Sequence, residues 1–257
     1  MKLLLKIAYI GTRYCGYQVQ PNGVSIQQKL NEAAEILFGT PCDIVGCSRT
    51  DSGVHANAFC AAVSEKGTDR LITDIPVSRI PQAFSAHLPS DIRVYDACMV
   101  PGDFHARYDV REKEYLYRIW NRWVMNPFEE GRAYHLPQEI SEKGLESAQT
   151  AAAFWIGTHD FSAFMAQGSD VPDPTRTVSF SQIRREDGLS TVRVRADGFL
   201  YHMVRIMTGT LIETALGKIE SSAIPDILES KDRTRAGFTA PACGLYLDRV
   251  VYNRPTF

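Results

Sequence analysis

The sequence contains no C-x-x-C pair, and its six cysteines and six histidines fall at no zinc-binding spacing. It has no G-x-x-x-x-G-K-[ST] loop to cradle a nucleotide triphosphate. It has no H-x-E with a following P-C-x-x-C, the signature of the zinc deaminases. No apolar run is long enough to span a membrane. Charge of one sign is not in excess either, since the net charge is −2, so no global polycation advertises a nucleic-acid partner. These absences set aside zinc ribbons, P-loop hydrolases, zinc deaminases and membrane-spanning proteins. What is left is an ordinary globular composition, 44% hydrophobic and 23% charged over 257 residues, enough for one large core or two smaller ones.

Several cysteines sit in apolar, strand-like runs, where a free thiol is a small hydrophobe, and a reducing cytoplasm fits. The opening Lys2-Leu3-Leu4-Leu5-Lys6-Ile7-Ala8 superficially resembles a signal peptide. Lys6 breaks it, it is too short, and no small-residue cleavage site follows, so a first β-strand is expected over residues 2–10.

Charge is unevenly spread. Residues 175–205 carry six arginines (176, 184, 185, 193, 195 and 205) against Glu186, Asp187 and Asp197, a balance of +3. A basic groove is one reading of that stretch, and a solvated mixed surface is the other.

Ser25 with Gln28 three residues later reads as a capping box. Ile26, Leu30, Ala33, Ala34, Leu37 and Phe38 follow at helical spacing, and Gly39 ends the helix. Strands are expected at 42–47, 58–64 and 91–99, and a helical stretch up to about 87. A boundary is placed at Pro101-Gly102. The alternation Tyr115-Leu116-Tyr117-Arg118-Ile119-Trp120 predicts a strand. Ser141 begins a second amphipathic helix ending at Gly157, strands follow near 176–185 and 190–197, residues 202–216 read as a buried helix, and 244–252 as a last strand. The expectation is an α+β chain of two lobes: 1–103 with an Asp-bearing loop, and 104–257. Each lobe is a mostly antiparallel sheet with helices on one face, with a cleft between them.

Chemistry concentrates in Arg49-Thr50-Asp51-Ser52-Gly53-Val54-His55. An ionisable residue on a glycine-hinged loop between strands is a common place for a reactive group, although an Asp in a polar turn also serves as a cap. Arg205 sits on a helix too apolar to leave a guanidinium unpaired, with Asp51, Asp197, Glu213 or solvent as its candidate partners. A free Asp ionises near ~3.9. Burial raises that by roughly 3–5 units and a close arginine lowers it by roughly 1–3, so an arginine would keep a desolvated carboxylate anionic and nucleophilic. Tyr115 on a strand offers either ordinary packing or a flat face for a nucleobase. Gln18, Gln20, Arg13, Arg49, His55, His105, Arg107 and His202 are further residues able to reach phosphates or base edges. Asp51-Ser52-Gly53 also has the D-S-G of aspartic proteases, but those need two such carboxylates and the chain has one.

The run Gly46-Cys47-Ser48-Arg49-Thr50-Asp51-Ser52-Gly53-Val54-His55-Ala56 resembles the G-R-T-D-A-G-V-H motif of the TruA-type tRNA pseudouridine synthases. In family order follow or precede Tyr14-Cys15-Gly16-Tyr17-Gln18, Phe104-His105-Ala106-Arg107, Tyr115-Leu116-Tyr117, Asp160-Phe161-Ser162-Ala163-Phe164, Arg176-Thr177, Phe199-Leu200-Tyr201-His202-Met203-Val204-Arg205 and Gly244-Leu245-Tyr246-Leu247. Ser48 and Ser52 stand where glycine and alanine are common, Tyr17 where tryptophan is usual, and Tyr201 where a second histidine often is. The resemblance implies isomerisation of uridine to pseudouridine at positions 38 to 40 of the tRNA anticodon stem-loop. It implies a homodimer and no metal or organic cofactor. By the same resemblance Asp51 is the nucleophile, Tyr115 stacks on the target base, Arg205 pairs with Asp51, and Arg49 props the gap left by the extruded base. Gln18, His55, His202 and Leu245 are the further substrate-binding expectations. The rivals are an RNA chaperone using the same cleft without turnover, and a carboxylate-dependent hydrolase.

Overall fold

The computed structural model describes residues 1–168, 171–254 and 256–257. Among them are ten strands and five α-helices, an α+β fold. The chain divides into two compact units: Met1–Arg111 with Tyr246–Phe257, and Glu112–Leu245. The sequence expectation places the boundary at 103. Residues 104–111 and the terminal strand group with the first unit.

Unit one runs β1 (Lys2–Tyr9), α1 (Ile26–Phe38), β2 (Cys42–Gly46), β3 (His55–Glu65), α2 (Ile80–His87) and β4 (Ile92–Val100). β1 is central, antiparallel to β3 from Leu3↔Val63 to Tyr9↔Ala56 and to β4 from Lys2↔Val100 to Tyr9↔Ile92. Leu3, Leu4, Leu5 and Ile7 are wholly buried, which is why a leucine run opening the chain is a core strand. β2 pairs with the far end of β3, Cys42↔Glu65 to Gly46↔Ala61. α1 buries Ile26, Leu30, Ala33 and Ala34. Its N-terminus is capped as expected, with Ser25 Oγ accepting from the Gln28 N–H at 3.2 Å. The reciprocal half of the box is not made, because the Gln28 side chain donates to Glu32 instead.

Unit two begins within β5 (Val110–Trp120) and continues β6 (Tyr134–His135), α3 (Glu142–Ala153), β7 (Gly157–Asp160), β8 (Thr175–Glu186), β9 (Leu189–Ala196), α4 (Met203–Ala215) and α5 (Ile224–Ser230). β8 and β9 form a hairpin, β9 runs antiparallel to β5 from Lys113↔Ala196 to Trp120↔Leu189, and β7 closes on β8. α3 stops at Ala153, short of the Gly157 expected, and buried Trp155 packs edge-on to Phe164 at 5.3 Å beyond it. α4 is buried on nearly every side. Thr208, Thr210 and Thr214 survive there because each hydroxyl donates to the carbonyl four residues back, at 2.8–2.9 Å. The last strand, β10 (Leu245–Tyr252), runs parallel to β3 at Tyr246↔His55 and Leu247↔Ala56.

Candidate active site

The Asp51 loop leaves Cys47 and enters β3 through a four-residue turn. The Val54 N–H donates to the Asp51 carbonyl at 3.1 Å, and Gly53 holds φ +79°. A positive φ at the third turn position is what a type II turn demands, and glycine supplies it without strain. A second loop locks this turn from the side. The Tyr17 N–H donates to the Thr50 carbonyl at 3.1 Å and the Gly53 N–H to the Tyr14 carbonyl at 3.4 Å. Ser52 Oγ donates to that same Tyr14 carbonyl at 3.2 Å. Gly16, with φ +78°, permits this approach: a Cβ there would stand 2.6 Å from the Thr50 carbonyl oxygen. Tyr9 Oη and buried Thr50 Oγ1 are 2.8 Å apart, tying the turn to β1. Asp51 thus projects half-buried from a turn whose backbone is fixed on three sides. Such fixing is what pre-organises a reactive side chain.

His55, expected among the substrate-binding residues, is the first residue of β3. It is wholly buried. Its Nδ1 accepts from the Gly11 N–H at 3.0 Å, and its ring stacks on Tyr246 with centroids 4.5 Å apart. As the first residue of a buried strand it points inward. It braces the turn's exit.

A cluster whose acidic member, Asp91, the sequence did not mark stands beside the loop. Tyr14 Oη donates to Asp91 Oδ1 at 2.6 Å, and Arg13 Nε and Nη2 donate to Asp91 Oδ2 at 3.0 and 2.7 Å. Burial, and then the bond to Asp91, push the Tyr14 hydroxyl well above its ordinary value. Asp91 sits next to β4, 77 residues away, and only the β1–β4 pairing brings it to this loop. Gln18 and Arg49 are both exposed and line one cavity of unit one, while the Gln20 side chain turns back to the Cys15 carbonyl.

In unit two, Tyr115 lies on β5, 7% exposed, edge-on to Phe199 at 4.9 Å. Arg205 lies on α4, half-buried. Its Nε donates to the Ala240 carbonyl at 2.7 Å, and the Ala240 N–H returns to the Arg205 carbonyl. Of its sequence candidates within this unit, Asp197 accepts from the Thr177 N–H. His202, which precedes α4, holds the left-handed φ +58°, a conformation few non-glycine residues adopt, and its ring lies 3.9 Å from that of Tyr201. Leu245 is buried at the start of β10.

The basic groove suggested for 175–205 is largely neutralised. Glu114, 8% exposed at its side chain, receives Arg193 at 2.7 Å and Arg195 at 2.6 Å. Arg195 also meets Glu112 at 3.4 Å, Arg185 pairs with Glu142, and Arg176 donates to the Asp173 and Thr175 carbonyls. Arg184 is the exception, exposed and without a carboxylate partner among the described residues. Among the described residues no three His, Cys, Asp or Glu side chains are grouped to hold a metal, and no helix is long and apolar enough to cross a membrane.

A family model described as tRNA pseudouridine synthase matches residues 6–109 and 151–253. The first stretch holds the whole Asp51 loop and the second holds Arg205, while Tyr115 falls between them. A tRNA pseudouridine synthase A of Acetivibrio thermocellus is 42% identical over 250 residues, 96% of this chain and 98% of that one. One of Thermoanaerobacter sp. (strain X514) is 40% identical over 97% of this chain and 99% of its own. One of Ruminiclostridium cellulolyticum is 39% identical over 98% and 99%. With both matched stretches together spanning most of the chain, and full-length relatives at this identity, the chain is an enzyme of the tRNA pseudouridine synthase family.

Proposed function

We propose that this enzyme isomerises uridine to pseudouridine at positions 38 to 40 of the tRNA anticodon stem-loop, with Asp51 as the nucleophile. The observation that carries the reading is the Asp51 turn, a carboxylate displayed on a backbone clamped by the Tyr14–Tyr17 loop, in a chain of this family. A base inside a stem cannot be attacked in place, so the target nucleotide is flipped out at a cost of a few kcal/mol. The carboxylate then adds at C1′ or C6. The C1′–N1 bond breaks, the ring turns and C1′ bonds to C5; the carboxylate leaves, displaced from C1′ by C5 on the first route or eliminated from C6 on the second; the C5 proton leaves and N1 takes one up. The reaction is redox-neutral and needs no metal or organic cofactor.

Tyr115 as the stacking face and Arg205 as the counter-charge belong to the same proposal, as do Arg49 at the gap left by the flipped base and contacts from Gln18, His202 and Leu245. His55 enters as a positioning residue, since it is buried against Gly11 and Tyr246. The enzyme acts as a homodimer in the cytoplasm. Tritium release from anticodon-arm RNA carrying [5-³H]uridine tests this reading. The wild-type protein releases tritium, and Asp51→Asn lowers the rate by at least about 10³-fold while tRNA binding persists. Release at the wild-type rate by Asp51→Asn would remove Asp51 from the chemistry. Stoichiometric tRNA binding without turnover by the wild type would favour an RNA chaperone.

A further inference from the structure

A cavity of about 240 Å³ in unit one is lined by Tyr17, Gln18, Arg49, His105, Arg107 and Tyr108, among others. None of its lining residues is acidic. The segment that forms one wall is tightly wound. The His105 N–H donates to Asp109 Oδ2 at 3.1 Å, and the Asp109 N–H to the His105 carbonyl at 3.1 Å. His105 Nδ1 accepts from the N–H groups of both Arg107 and Tyr108, each at 3.2 Å. An Nδ1 used as an acceptor leaves the ring proton on Nε2. The His105 ring is thereby held against that of Tyr108, centroids 4.2 Å apart and planes 28° apart. The Arg107 guanidinium lies 5.8 Å from the Tyr108 centroid.

Tyr108 is nonetheless 75% exposed. An aromatic ring fixed from beneath and left open loses little freedom when something stacks on it. Arg49 and Arg107 are both exposed, and neither has a carboxylate partner among the described residues. Behind them, the buried Tyr17 hydroxyl has no hydrogen-bond partner among the described residues. An open ring, two uncommitted guanidinium groups and no acidic lining match one ligand class, a nucleotide: a base for the ring and phosphate oxygens for the arginines. An acidic peptide would use the arginines and leave the ring unexplained.

We propose that this cavity binds an unpaired nucleotide flanking the target uridine, with Tyr108 stacked on its base and Arg107 and Arg49 on its phosphates. Arg49 stands two residues from Asp51, so a strand whose target nucleotide reaches that turn passes this rim. His105 is a positioning residue that acts through Tyr108. The inference rests on the reading of the chain as a tRNA-modifying enzyme, because it takes RNA as the ligand.

The experiment uses the full chain with an unmodified tRNA transcript, measuring binding by filter retention and turnover by tritium release. Tyr108→Ala raises Kd and KM about tenfold and leaves kcat at saturating tRNA within about twofold. Tyr108→Phe, which keeps the ring, restores both. Arg107→Gln reduces the slope of log K against log salt by just under one. Because Tyr108 is exposed, its truncation leaves the fold intact, which unchanged circular dichroism would verify. An active wild type together with Tyr108→Ala and Arg107→Gln proteins of unaltered Kd and salt slope would overturn the subsite while leaving the functional reading standing. A kcat loss without a KM change in Tyr108→Ala would also overturn it, since that outcome belongs to the chemical step. A wild type that neither binds nor turns over tRNA would bring down the functional reading and this subsite with it.

Discussion

The arginines of residues 175–205, five on β8 and β9 and one on α4, and those around the Asp51 loop have opposite fates. In sequence the first group looks like the nucleic-acid surface, six guanidinium groups in thirty-one residues. In the structure most of them are committed: Arg193 and Arg195 to Glu114, Arg195 also to Glu112, Arg185 to Glu142, and Arg176 and Arg205 to backbone carbonyls. Arg49 and Arg107 stand in stretches of no particular charge, yet they are exposed and have no carboxylate partner among the described residues. What decides whether a cation is available to a phosphate is the strand register opposite it, not the charge of its neighbours in sequence. Lys113↔Ala196 pairing puts Glu114 across from Arg195, 81 residues later, and makes a structural ion network out of an apparent groove.

The comparison breaks most visibly at Glu114. Its carboxylate is buried and serves two arginines that are each about one-third to two-fifths exposed. Glu114→Gln takes from both the carboxylate they share, and leaves Arg195 its longer contact to Glu112. Partial exposure lets solvent screen them, so the cost is about 2 kcal/mol, below that of a fully buried pair. That corresponds to a fall in Tm of about 5 °C for a chain of this size, read by a thermal melt. A melt within 1 °C of wild type would show that the network is solvated and contributes nothing. The same variant also removes a negative charge from beside two cations, and if β9 faces RNA its tRNA binding becomes more salt-dependent rather than less.

That network marks the limit of what can be read from the sequence. Local patterns were legible: the leucine run of β1, the Ser25 cap and Gly39 stop of α1, the apolar character of α4, and the turn glycine at 53. Each is set by neighbours within a few residues, through capping, periodicity or a required φ. The turn that carries Asp51 was legible for the same reason. Not legible were the register-dependent contacts: Glu114 under two arginines, Asp91 under Arg13 and Tyr14, and the inward turn of His55. Each depends on which strand lies alongside, and the partners are at least 44 residues apart in the chain. The α5 helix was also missed, a single short element entered through Pro225 at its second position, with too few residues to show a period.

A smaller effect sharpens the contrast between spent and unspent arginines. The double variant Arg193→Gln with Arg195→Gln should leave the salt slope of tRNA binding where the wild type has it, because those charges already belong to Glu114 and Glu112. Arg49→Gln, by contrast, should lower the slope by just under one. Equal slopes for the two sets, measured by filter retention between low and moderate salt, would erase the distinction.

The smallest effect concerns Arg13, a spent arginine within unit one itself. Burial pulls the Asp91 carboxyl upward, but hydrogen bonds from Tyr14 and Arg13 outweigh it and hold the carboxyl below its ordinary value. A carboxyl that ionises more readily folded than unfolded adds stability that is complete above about pH 4. That stability disappears as the pH falls through the folded-state value. Arg13 is 70% exposed at its side chain, so solvent screens its share and the effect is small. Thermal melts from pH 6 down to pH 3 should therefore fall less steeply for Asp91→Asn than for wild type. Arg13→Gln should lie between them, since Tyr14 still donates to the carboxylate. A wild-type acid slope retained in full by Asp91→Asn would mean that the drop comes from the other depressed carboxyls, such as Asp103, Asp160 and Asp232. In that case Arg13 would have to be counted with Arg49 and Arg107, as a cation still free to meet phosphate.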